Sequence, residues 1–524
     1  MSTKNEDAVS HLAGERELTV VSVPEGGNTV DTYGGKIHVK WDEDAAVTPY
    51  GQMLFFVEFL KAAGLWETWV EQCPVKYKSA NAPSTADVLG TILLSVLAGH
   101  RRYAHVTALR FDGVNPQLLG MSKVCSEDSV RRAFTEAPEA ECAAWLTRHL
   151  RISYEPLLSE PWILDIDTTV KPLYGHQEGA VKGYNPGKPG RPSHAYHTYF
   201  VANLRLVLDV EVQAGNQTAS SHAQPELWKF INGLPEQARP AFLRGDCGWG
   251  TERMMTEAEE QKIPYLFKLK QTSKVKNLIQ QAFTRQDWTE AGQGWKGVES
   301  ELMLTGWTRK RRVIVLRRRL RDGLAQATEI KRLSGSPLQE QLVLGFVETA
   351  KDGPLYEYAV LITSLADEIL ALAQHYRDRA DAENNFDELK NQWGWSGFTT
   401  HDLKRCQIMA RIIALIYNWW SLFARLAIPE KHAEAITSRP LLLNAVGKQT
   451  THAGQTTITV TSMHAKAPQM QAALHTIGLF LAKICNAAEQ WTYPQKWVLI
   501  LSRVFFIFLK GRQLRSPQFI PAAL

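Results

Sequence analysis

The segment Pro161-Trp-Ile-Leu-Asp-Ile-Asp-Thr-Thr-Val170 is a short apolar run that ends in carboxylates. It begins a succession of strand-like and helix-like patterns that continues to Lys270. The order strand, loop, strand, strand, helix, strand, helix, strand predicts an α/β fold with a mixed sheet. The predicted strands are Trp162–Thr168, Ala195–Leu204, Val207–Val212, Ala241–Asp246 and Ile263–Lys270, and the predicted helices are Pro225–Leu234 and Thr251–Gln261.

Two of these strand patterns end in acidic residues. Asp165 and Asp167 are two positions apart, so on one strand both side chains face the same side of the sheet. Asp246 ends the run that starts at Ala241 and is followed by a Gly-rich turn. Because adjacent strands of one sheet bring their ends together, we expect these carboxylates to meet. Taken singly, each also has a plainer interpretation as a turn-forming residue, and an isolated Asp-x-Asp also occurs in metal-dependent glycosyltransferases.

A third acid lies in the segment Tyr376-Arg-Asp-Arg-Ala-Asp-Ala-Glu-Asn-Asn-Phe-Asp-Glu-Leu-Lys390. The intervals between Tyr376, Arg379, Glu383 and Lys390 would keep these four side chains near one face of a helix. That face would present a phenol, a guanidinium, a carboxylate and an ammonium group. This set suits an acidic metal ligand flanked by groups that bind phosphates. The plainer alternative is an exposed helix with ion pairs between adjacent turns.

The spacing Tyr-x2-Arg-x3-Glu-x6-Lys resembles the signature of DDE transposases of bacterial insertion sequences, in the group whose catalytic domain carries a β-rich insertion. Asp167-Thr168-Thr169 is similar to the first-acid motif of that family, and Asp246 with its Gly-rich turn is similar to the second. Together with His176-Gln177-Glu178, these segments look most like the thirteen-eighty family of insertion sequences. The resemblance covers roughly residues 85 to 430. The order of strands and helices also fits the RNase-H-like core expected of such an enzyme.

The resemblance implies one catalytic triad that also binds metal. Its members are Asp167, Asp246 and Glu383. Mg²⁺ prefers oxygen ligands, so a few carboxylates and a substrate phosphate suffice to hold it, and Mn²⁺ is the alternative ion. Two such ions per active site could activate the attacking oxygen and stabilise the leaving one. Asp165 is interpreted either as a helper of this triad or as a buried, hydrogen-bonded structural residue.

Further residues around these acids are candidates for contact with DNA. The resemblance implies that Arg379 and Lys390 position DNA near the cut and that Tyr376 hydrogen-bonds a phosphate. The loop from Gly179 to Pro192 places cations among Gly, Asn and Pro residues near the first acid, where phosphate contact and ordinary solubility are both reasonable explanations. The candidate contacts in this loop are Lys188 and Arg191.

A second basic segment, Thr308-Arg-Lys-Arg-Arg-Val-Ile-Val-Leu-Arg-Arg-Arg-Leu-Arg321, contains no acid. The formal net charge of the chain is only +5, so binding to nucleic acid would depend on local clusters of this kind. An acid-free run interrupted by an apolar strand favours phosphate contact over a solvated face. The adjacent Trp307 could stack on a flipped base, as an insertion tryptophan does in relatives, although tryptophans of a β domain more often lie in the core. The candidates here are Arg309, Lys310, Arg311 and Trp307.

The sequence also predicts how the chain is divided. The helix predicted at Ser126–Glu136 carries an N-cap serine and two adjacent cations, which fits either a DNA-recognition helix or a helix that packs on the core. The long interval before Glu383 contains strand-like runs at Glu299–Leu304, Arg311–Arg318 and Gln341–Glu348, which indicate an inserted β-rich lobe. The predicted divisions are a polar segment (1–50), a helical, candidate DNA-binding domain (51–150), a first core part (151–271), the insertion (272–357), a second core part (358–430) and a C-terminal helical region (431–524).

The expected compartment is a reducing one. The six cysteines have no paired, metal-type spacing, and the first residues lack the apolar stretch of a signal peptide. Two apolar runs, Ile412–Ile428 and Trp497–Leu509, each contain an arginine and are too short for a clean membrane span, so they are predicted to be buried helices. We expect a cytoplasmic, nucleoid-associated bacterial protein with no membrane partner.

The function that the resemblance implies is that of an insertion-sequence transposase. Such an enzyme binds terminal inverted repeats, cuts each end to free a 3′-hydroxyl and joins that end to target DNA, acting as a homodimer on DNA. Two alternatives remain open. One is a non-catalytic, DNA-binding descendant of a transposase, and the other is a metal-dependent glycosyltransferase built on Asp165-Ile-Asp167.

Overall fold

The computed structural model describes residues 28–77, 79, 81–320, 356–487 and 491–514. The chain divides into two compact units, Met1–Ala46 and Val47–Leu524. In the first unit, β1 (Asn28–Thr32) and β2 (Gly35–Val39) form an antiparallel hairpin. Every structural feature discussed below belongs to the second unit.

The second unit contains strands and helices throughout its described length. Its strands are β3 (Val47–Thr48), β4 (Ile163–Pro172), β5 (Val181–Lys182), β6 (Pro192–Val201), β7 (Leu206–Ala214), β8 (Phe242–Gly245), β9 (Tyr265–Lys268), β10 (Thr289–Gly292), β11 (Trp295–Leu302), β12 (Arg311–Arg319), β13 (Tyr356–Thr363), β14 (Gly447–His452) and β15 (Gln455–Val460). Its α-helices are α1 (Met53–Ala62), α2 (Leu65–Glu71), α3 (Thr85–Leu97), α4 (Asn115–Leu118), α5 (Glu127–Arg132), α6 (Glu139–Tyr154), α7 (Ala219–Asn232), α8 (Glu252–Glu260), α9 (Ser273–Ala282), α10 (Ile369–Arg377), α11 (Ala380–Asn391), α12 (Leu403–Ala427), α13 (Ala435–Leu442), α14 (Ala467–Ala487) and α15 (Tyr493–Val504).

A sheet of ten strands organises this unit. Its order is β10-β11-β12-β13-β9-β8-β4-β6-β5, with β7 also paired to β6. The central strands β4, β8 and β9 run parallel to one another, and the pairings on both sides of them are antiparallel. The mixed α/β sheet predicted from the sequence is thus present. Because parallel neighbours end at the same edge, the three central strands deliver the residues that follow them to one place.

The strands of the predicted insertion belong to this same sheet. The runs expected at Glu299–Leu304 and Arg311–Arg318 correspond to β11 and β12, and β13 joins them to β9 by antiparallel pairing. Within the described residues, the segment predicted as a separate lobe therefore extends the central sheet. The third predicted run, Gln341–Glu348, lies outside the described residues.

The long helix α12 forms the centre of the hydrophobic core against β7 and α6. Two of its buried polar residues have partners: Arg411 pairs with Asp209 at 2.8 Å, and the Asn418 side chain accepts from the Val207 backbone N–H at 2.9 Å. Satisfied polar groups of this kind can be buried at little cost. The prediction that the run Ile412–Ile428 is a buried helix is confirmed. Among the described helices, none has the length and apolar character needed to cross a bilayer.

The helix proposed for DNA recognition is short. It begins after Ser126, whose hydroxyl accepts from the Ser129 N–H as an N-cap, in agreement with the sequence. It ends at Arg132, earlier than predicted. Both of its cations pair with Asp128 on the same helix, at 2.5 Å for Arg131 and 3.0 Å for Arg132. This pairing agrees better with a surface helix than with an unpaired basic recognition face.

The predicted C-terminal helical region contains a β-hairpin that the sequence analysis missed. Strands β14 and β15 pair with each other, and β14 also pairs with β3. The local sequence explains the hairpin, because Thr-rich β-branched strands flank a two-residue turn. Ala453 and Gly454 have φ angles of 50° and 78°, as a turn with two left-handed residues requires.

Candidate active site

Strand register places the first two predicted acids side by side. In the parallel pairing of β4 with β8, Ile166 lies opposite Gly245. One residue further along, Asp167 therefore lies beside Asp246, which directly follows the end of β8. Asp167 is 9% exposed, and Asp246 is partly exposed. The Asp246 carboxylate accepts from the Gly248 N–H at 2.8 Å, so the Gly-rich turn fixes its orientation.

The segment from Tyr376 to Lys390 forms two helices, which corrects the single helix assumed from the sequence. Helix α10 ends at Arg377 and α11 begins at Ala380, so Arg379 is the N-cap residue of α11. The predicted common face is divided accordingly. Tyr376 and Arg379 are largely buried, whereas the Glu383 side chain is 68% exposed.

Arg379 connects two of the predicted acids. Its Nη1 donates to Asp167 Oδ2 at 2.8 Å, and its Nη2 donates to Glu383 Oε1 at 3.4 Å. The side chain of Arg379 is only 11% exposed. Folding thus brings acids from β4 and α11 to one guanidinium group, with Asp246 on the adjacent strand end.

Burial and like charge make the site electrostatically demanding. Burial, together with the neighbouring Asp246 carboxylate, raises the pKa of Asp167 to about 7, although the Arg379 guanidinium opposes this shift. For Arg379, burial disfavours the charge, but the Asp167 carboxylate acts together with Tyr376, Asp246 and Glu383, and their combined effect raises the arginine pKa well above its usual value. The three acids therefore carry more negative charge than the site stabilises with one arginine, which leaves a demand for further cations.

The chemistry of the acids fits divalent metal ions. Asp167, Asp246 and Glu383 offer only carboxylate oxygens, the ligands that Mg²⁺ prefers. In the part of the chain that the structure describes, however, no three His, Cys, Asp or Glu side chains are grouped closely enough to hold an ion as they stand. Arg379 occupies the position between Asp167 and Glu383. Metal binding would therefore require this guanidinium to release the carboxylates.

Asp165 has a structural role. Its two carboxylate oxygens accept from Arg244 Nε and Nη2 at 2.5 and 2.6 Å, and both side chains are almost completely buried. Arg244 also donates to the carbonyl oxygen of His375 at the end of α10. This ion pair anchors α10 to the two strands that carry the acids. It also engages one acid of the Asp-x-Asp pair, which removes the basis for a glycosyltransferase metal site.

Tyr376 and Lys390 lie on either side of Arg379 along the chain. Burial raises the pKa of Tyr376 to about 12, so its phenol remains protonated and can donate a hydrogen bond. Burial lowers the pKa of Lys390, while the Asp387 and Asp167 carboxylates oppose the shift. The assignment of both residues to DNA contact stays a prediction.

One cation near the acids was not identified from the sequence. Lys268 ends β9, and the parallel register pairs its neighbour Phe267 with Gly245. The next position brings Lys268 beside Asp246. Only the pairing of strands reveals this neighbour, because a lysine at the end of an apolar run has no distinguishing local signal.

The basic loop after β4 exposes its two candidate residues. Lys188 Nζ and the Arg191 guanidinium lie 4.8 and 4.7 Å from the centre of the Tyr174 ring, which is 67% exposed. Lys188 also donates to the Tyr174 hydroxyl. The assignment of both cations to DNA contact stays a prediction.

The basic run beside Trp307 is largely neutralised by acids from elsewhere in the chain. Arg311 is buried and pairs with Glu252 and with Glu259, the latter at 2.9 Å. Arg309 also pairs with Glu259. These acids lie on α8 and could not be assigned as partners from the sequence, so the expectation of an open, phosphate-binding run is not met at these two arginines.

The two other candidates of this run differ in exposure. Trp307 is 8% exposed and packs in the hydrophobic core, with Arg311 5.5 Å from its ring centre. Its indole is therefore not available to a base in this conformation. Lys310 is exposed, so its ammonium group is accessible to a phosphate. Arg321, the last residue of the run, lies outside the described residues.

Acids delivered by neighbouring parallel strands and by a helix, next to several cations, define a candidate centre for chemistry on phosphate esters. Residues 35–480 match the family model described as the transposase DDE domain, group 1. Because this match spans most of the chain, the chain belongs to that family and is a transposase. No curated protein shows significant similarity to the whole sequence.

A solved structure also aligns with the chain. It is a piggyBac transposase in a synaptic complex with hairpin DNA, 8% identical, with a TM-score of 0.35 over 91% of this chain and 87% of that one. A TM-score of this size does not establish a common fold. The functional conclusions therefore rest on the family match and on the geometry of the site.

Proposed function

We propose that this transposase cuts DNA at the ends of a bacterial insertion sequence of the thirteen-eighty family and joins the freed ends to target DNA. The catalytic residues are Asp167, Asp246 and Glu383, on an RNase-H-like core. The order β7-β6-β4-β8-β9, with the last three strands parallel, supports this core. Insertion-sequence ends, namely terminal inverted repeats, and target DNA are the substrates.

The observation that carries the proposal is the convergence of the three acids. Asp167 lies beside Asp246 through strand register, and Arg379 links Asp167 to Glu383. The three residues come from widely separated parts of the chain. Their concentration around one cation raises the energy of the folded state, since like charges in a buried site repel one another. Such an arrangement is typical of functional sites.

The reaction consists of two displacements at phosphorus. In end cleavage, a water oxygen bonds to phosphorus, the bond from phosphorus to the 3′ oxygen breaks, and that oxygen leaves as a hydroxyl after taking a proton. In end joining, this 3′ hydroxyl loses its proton and bonds to a phosphorus of the target, displacing the target's own 3′ oxygen. Asp167, Asp246 and Glu383 would hold two Mg²⁺ or Mn²⁺ ions, which would supply activation of the attacking oxygen and stabilisation of the leaving oxygen.

The other residues of the site bind and orient the DNA. Once Asp167 and Glu383 have other counter-charges, Arg379 is free to donate two parallel hydrogen bonds to a phosphate. Lys390 adds a positive charge nearby, and the protonated Tyr376 phenol donates to a phosphate oxygen. The exposed Lys188 and Arg191 extend the contact along the DNA backbone. Two element ends require two such sites, so the working form is a homodimer on DNA.

The decisive experiment compares Glu383→Gln with Asp387→Asn, a change at an exposed acid one turn along α11. Each protein is incubated with a labelled element end, with and without Mg²⁺, and products are resolved alongside an electrophoretic-shift measurement. We expect Glu383→Gln to bind the end normally but to lose Mg²⁺-dependent cleavage, because the amide cannot replace a charged ligand. Asp387→Asn should cleave at the wild-type rate.

Two other outcomes would contradict the proposal in different ways. Full cleavage by Glu383→Gln would remove this residue from the triad. End binding without cleavage by the wild-type protein, in Mg²⁺ and in Mn²⁺, would instead favour the non-catalytic, DNA-binding descendant. The same gel also shows whether a hairpin forms on the released flank.

A further inference from the structure

A lysine that the family signature does not include lies in the same row as two of the acids. Register places Asp167, Asp246 and Lys268 at successive aligned positions of β4, the end of β8 and the end of β9. Aligned residues of parallel neighbours direct their side chains to the same face of a sheet. The Lys268 ammonium and the two carboxylates therefore share one face at one edge.

The surroundings of Lys268 leave its ammonium uncommitted. Its side chain is partly buried, and the groups that favour its charge are the Cys247 thiol and the carboxylates of Glu357 and Glu383. Across the described residues, neither of these carboxylates nor any other lies within ion-pair distance of it. Arg379, by contrast, is engaged by Asp167 and Glu383. Of these two cations, Arg379 is therefore paired, and Lys268 has no direct carboxylate partner among the described residues.

A partly buried lysine without a partner is unfavourable for stability, because a charge loses hydration that nothing replaces. The cost is recovered if an anion enters the site. DNA supplies such an anion at each phosphate, and a phosphate that approaches Asp167 and Asp246 must also approach the adjacent end of β9.

We propose that Lys268 is a DNA-binding residue of the active site, which contacts the phosphate at the cut or the one next to it. This inference rests on the proposed function, since it assumes that DNA enters at Asp167 and Asp246. Lys268 donates from its ammonium group to a non-bridging phosphate oxygen and thereby fixes the register of the DNA against the triad. Its position on a strand end, between β8 and β13, makes this contact rigid.

The test is a binding cycle that does not require cleavage. Wild-type protein, Lys268→Gln and the control Lys270→Gln, at an exposed position two residues away, are titrated with element-end duplexes in Ca²⁺. One duplex is unmodified, and three others each carry a neutral methylphosphonate at the cut or at one flanking phosphate. Thermal unfolding of each variant is measured alongside, and Lys268→Arg, which keeps the charge, serves as a rescue.

We expect Lys268→Gln to bind the unmodified end about tenfold more weakly, the loss typical of one charge-assisted hydrogen bond. One methylphosphonate should weaken wild-type binding by a similar factor and should leave Lys268→Gln unchanged. Lys268→Arg should restore most of the affinity, and Lys270→Gln should bind like the wild type on all four duplexes.

The proposal is overturned if Lys268→Gln loses the same factor on every duplex, since the lysine would then act through the fold. It is equally overturned if the variant binds all duplexes as tightly as the wild type. Because only binding is measured, a failure here leaves the cleavage result for Glu383→Gln intact. Conversely, normal cleavage by Glu383→Gln would remove Glu383 from the triad but would not change how the binding measurements on the Lys268 variants are interpreted.

Discussion

The acid site and the basic strand β12 both concentrate charge, but they balance it differently. In the acid site, Asp167 and Glu383 share one arginine, Asp246 lies beside Asp167, and the pKa of Asp167 rises to about 7, mainly through burial. On β12, the buried Arg311 is matched by two glutamates from α8. There the pKa of Glu252 falls to about 2, because hydrogen bonds from Arg311 and Thr308 outweigh the effect of burial.

This contrast separates the cluster that we propose to be functional from one that is structural. A network whose charges are matched within the chain stabilises the fold and has little capacity left for a ligand. A cluster with surplus charge of one sign costs stability and is relieved when a counter-ion or substrate binds. The sequence alone suggested that the basic residues of β12 are free to bind phosphate, because the run from Thr308 to Arg321 contains no acid of its own.

Among the substitutions that test this contrast, we expect the largest effect at Asp246, on the rate of end cleavage. We expect Asp246→Asn to lower the rate of end cleavage by about 10³-fold or more, the scale seen when a preorganised catalytic group is removed. The amide oxygen can still accept from the Gly248 N–H, so the turn is preserved. Thermal stability should stay the same or rise, since one repulsion with Asp167 is lost.

The measurements are single-turnover cleavage of a labelled end and thermal unfolding in metal-free buffer. Glu257→Gln, at a surface ion pair with Arg253, serves as the control and should alter neither quantity. A variant that is inactive because it unfolds at a much lower temperature would assign Asp246 to the structure and not to the chemistry.

The second-largest expected effect is on stability, and it tests the ion pairs that Arg311 forms with Glu252 and Glu259. Arg311→Gln should lower the free energy of unfolding by about 3 kcal/mol, because it leaves two partly buried glutamates without their counter-charge. The pair Arg253–Glu257, whose arginine is 70% exposed, provides the comparison, and Arg253→Gln should change stability by no more than about 0.5 kcal/mol. Urea unfolding measures both changes.

DNA binding separates the two interpretations of the basic run. If Arg311 is structural, its charge is engaged by Glu252 and Glu259 and does not contact DNA. The folded variant should then bind an element end within about twofold of the wild type, a small difference in binding free energy. Unchanged stability combined with a large loss of affinity would return the run to the phosphate-contact interpretation.

The smallest expected effect is on the pH dependence of stability. The pKa of Glu252 is lower in the folded protein than the value of 4.5 it has without these partners, so the unfolded chain binds its proton first. The stability gained from this carboxylate is therefore fully present above about pH 4.5 and is lost as the pH falls towards 2. Glu252→Gln should be less stable than the wild type at pH 6, by no more than about 1 kcal/mol.

Thermal unfolding at intervals between neutral and acidic pH measures this difference. The gap between wild type and Glu252→Gln should narrow steadily on acidification, while the Arg253→Gln gap stays small throughout. A gap that widens at low pH would mean that Glu252 is not held in its ionised form by Arg311.

Periodicity predicted the elements around the site because their signals are local. The strands at Trp162–Thr168 and Ala241–Asp246 correspond to β4 and β8 within a few residues, and the helix at Thr251–Gln261 corresponds to α8. Apolar runs of strand length and capping residues depend on nearby positions only. For the same reason, the buried helix α12 was predictable from its apolar composition.

The failures share a different cause. The chain breaks between α10 and α11 at Asp378 and Arg379, where no proline or glycine predicts the end of a helix. Arg379 pairs there with Asp167, which lies more than two hundred residues earlier in the chain. The C-terminal hairpin β14–β15 did have a local signal, in its Thr-rich strands and its Ala453-Gly454 turn, that the sequence analysis overlooked.

By itself, the sequence determined which residues could do chemistry: three acids in recognisable motifs, and a helix segment with the spacing of a known signature. Tertiary structure alone decided which charges remain available. In the folded protein, Asp165 pairs with Arg244, and Arg311 pairs with two glutamates. Strand register aligns Lys268 with Asp167 and Asp246. The physical reason is that a charge is neutralised by whatever lies within a few ångströms, and strand register, not chain distance, determines those neighbours.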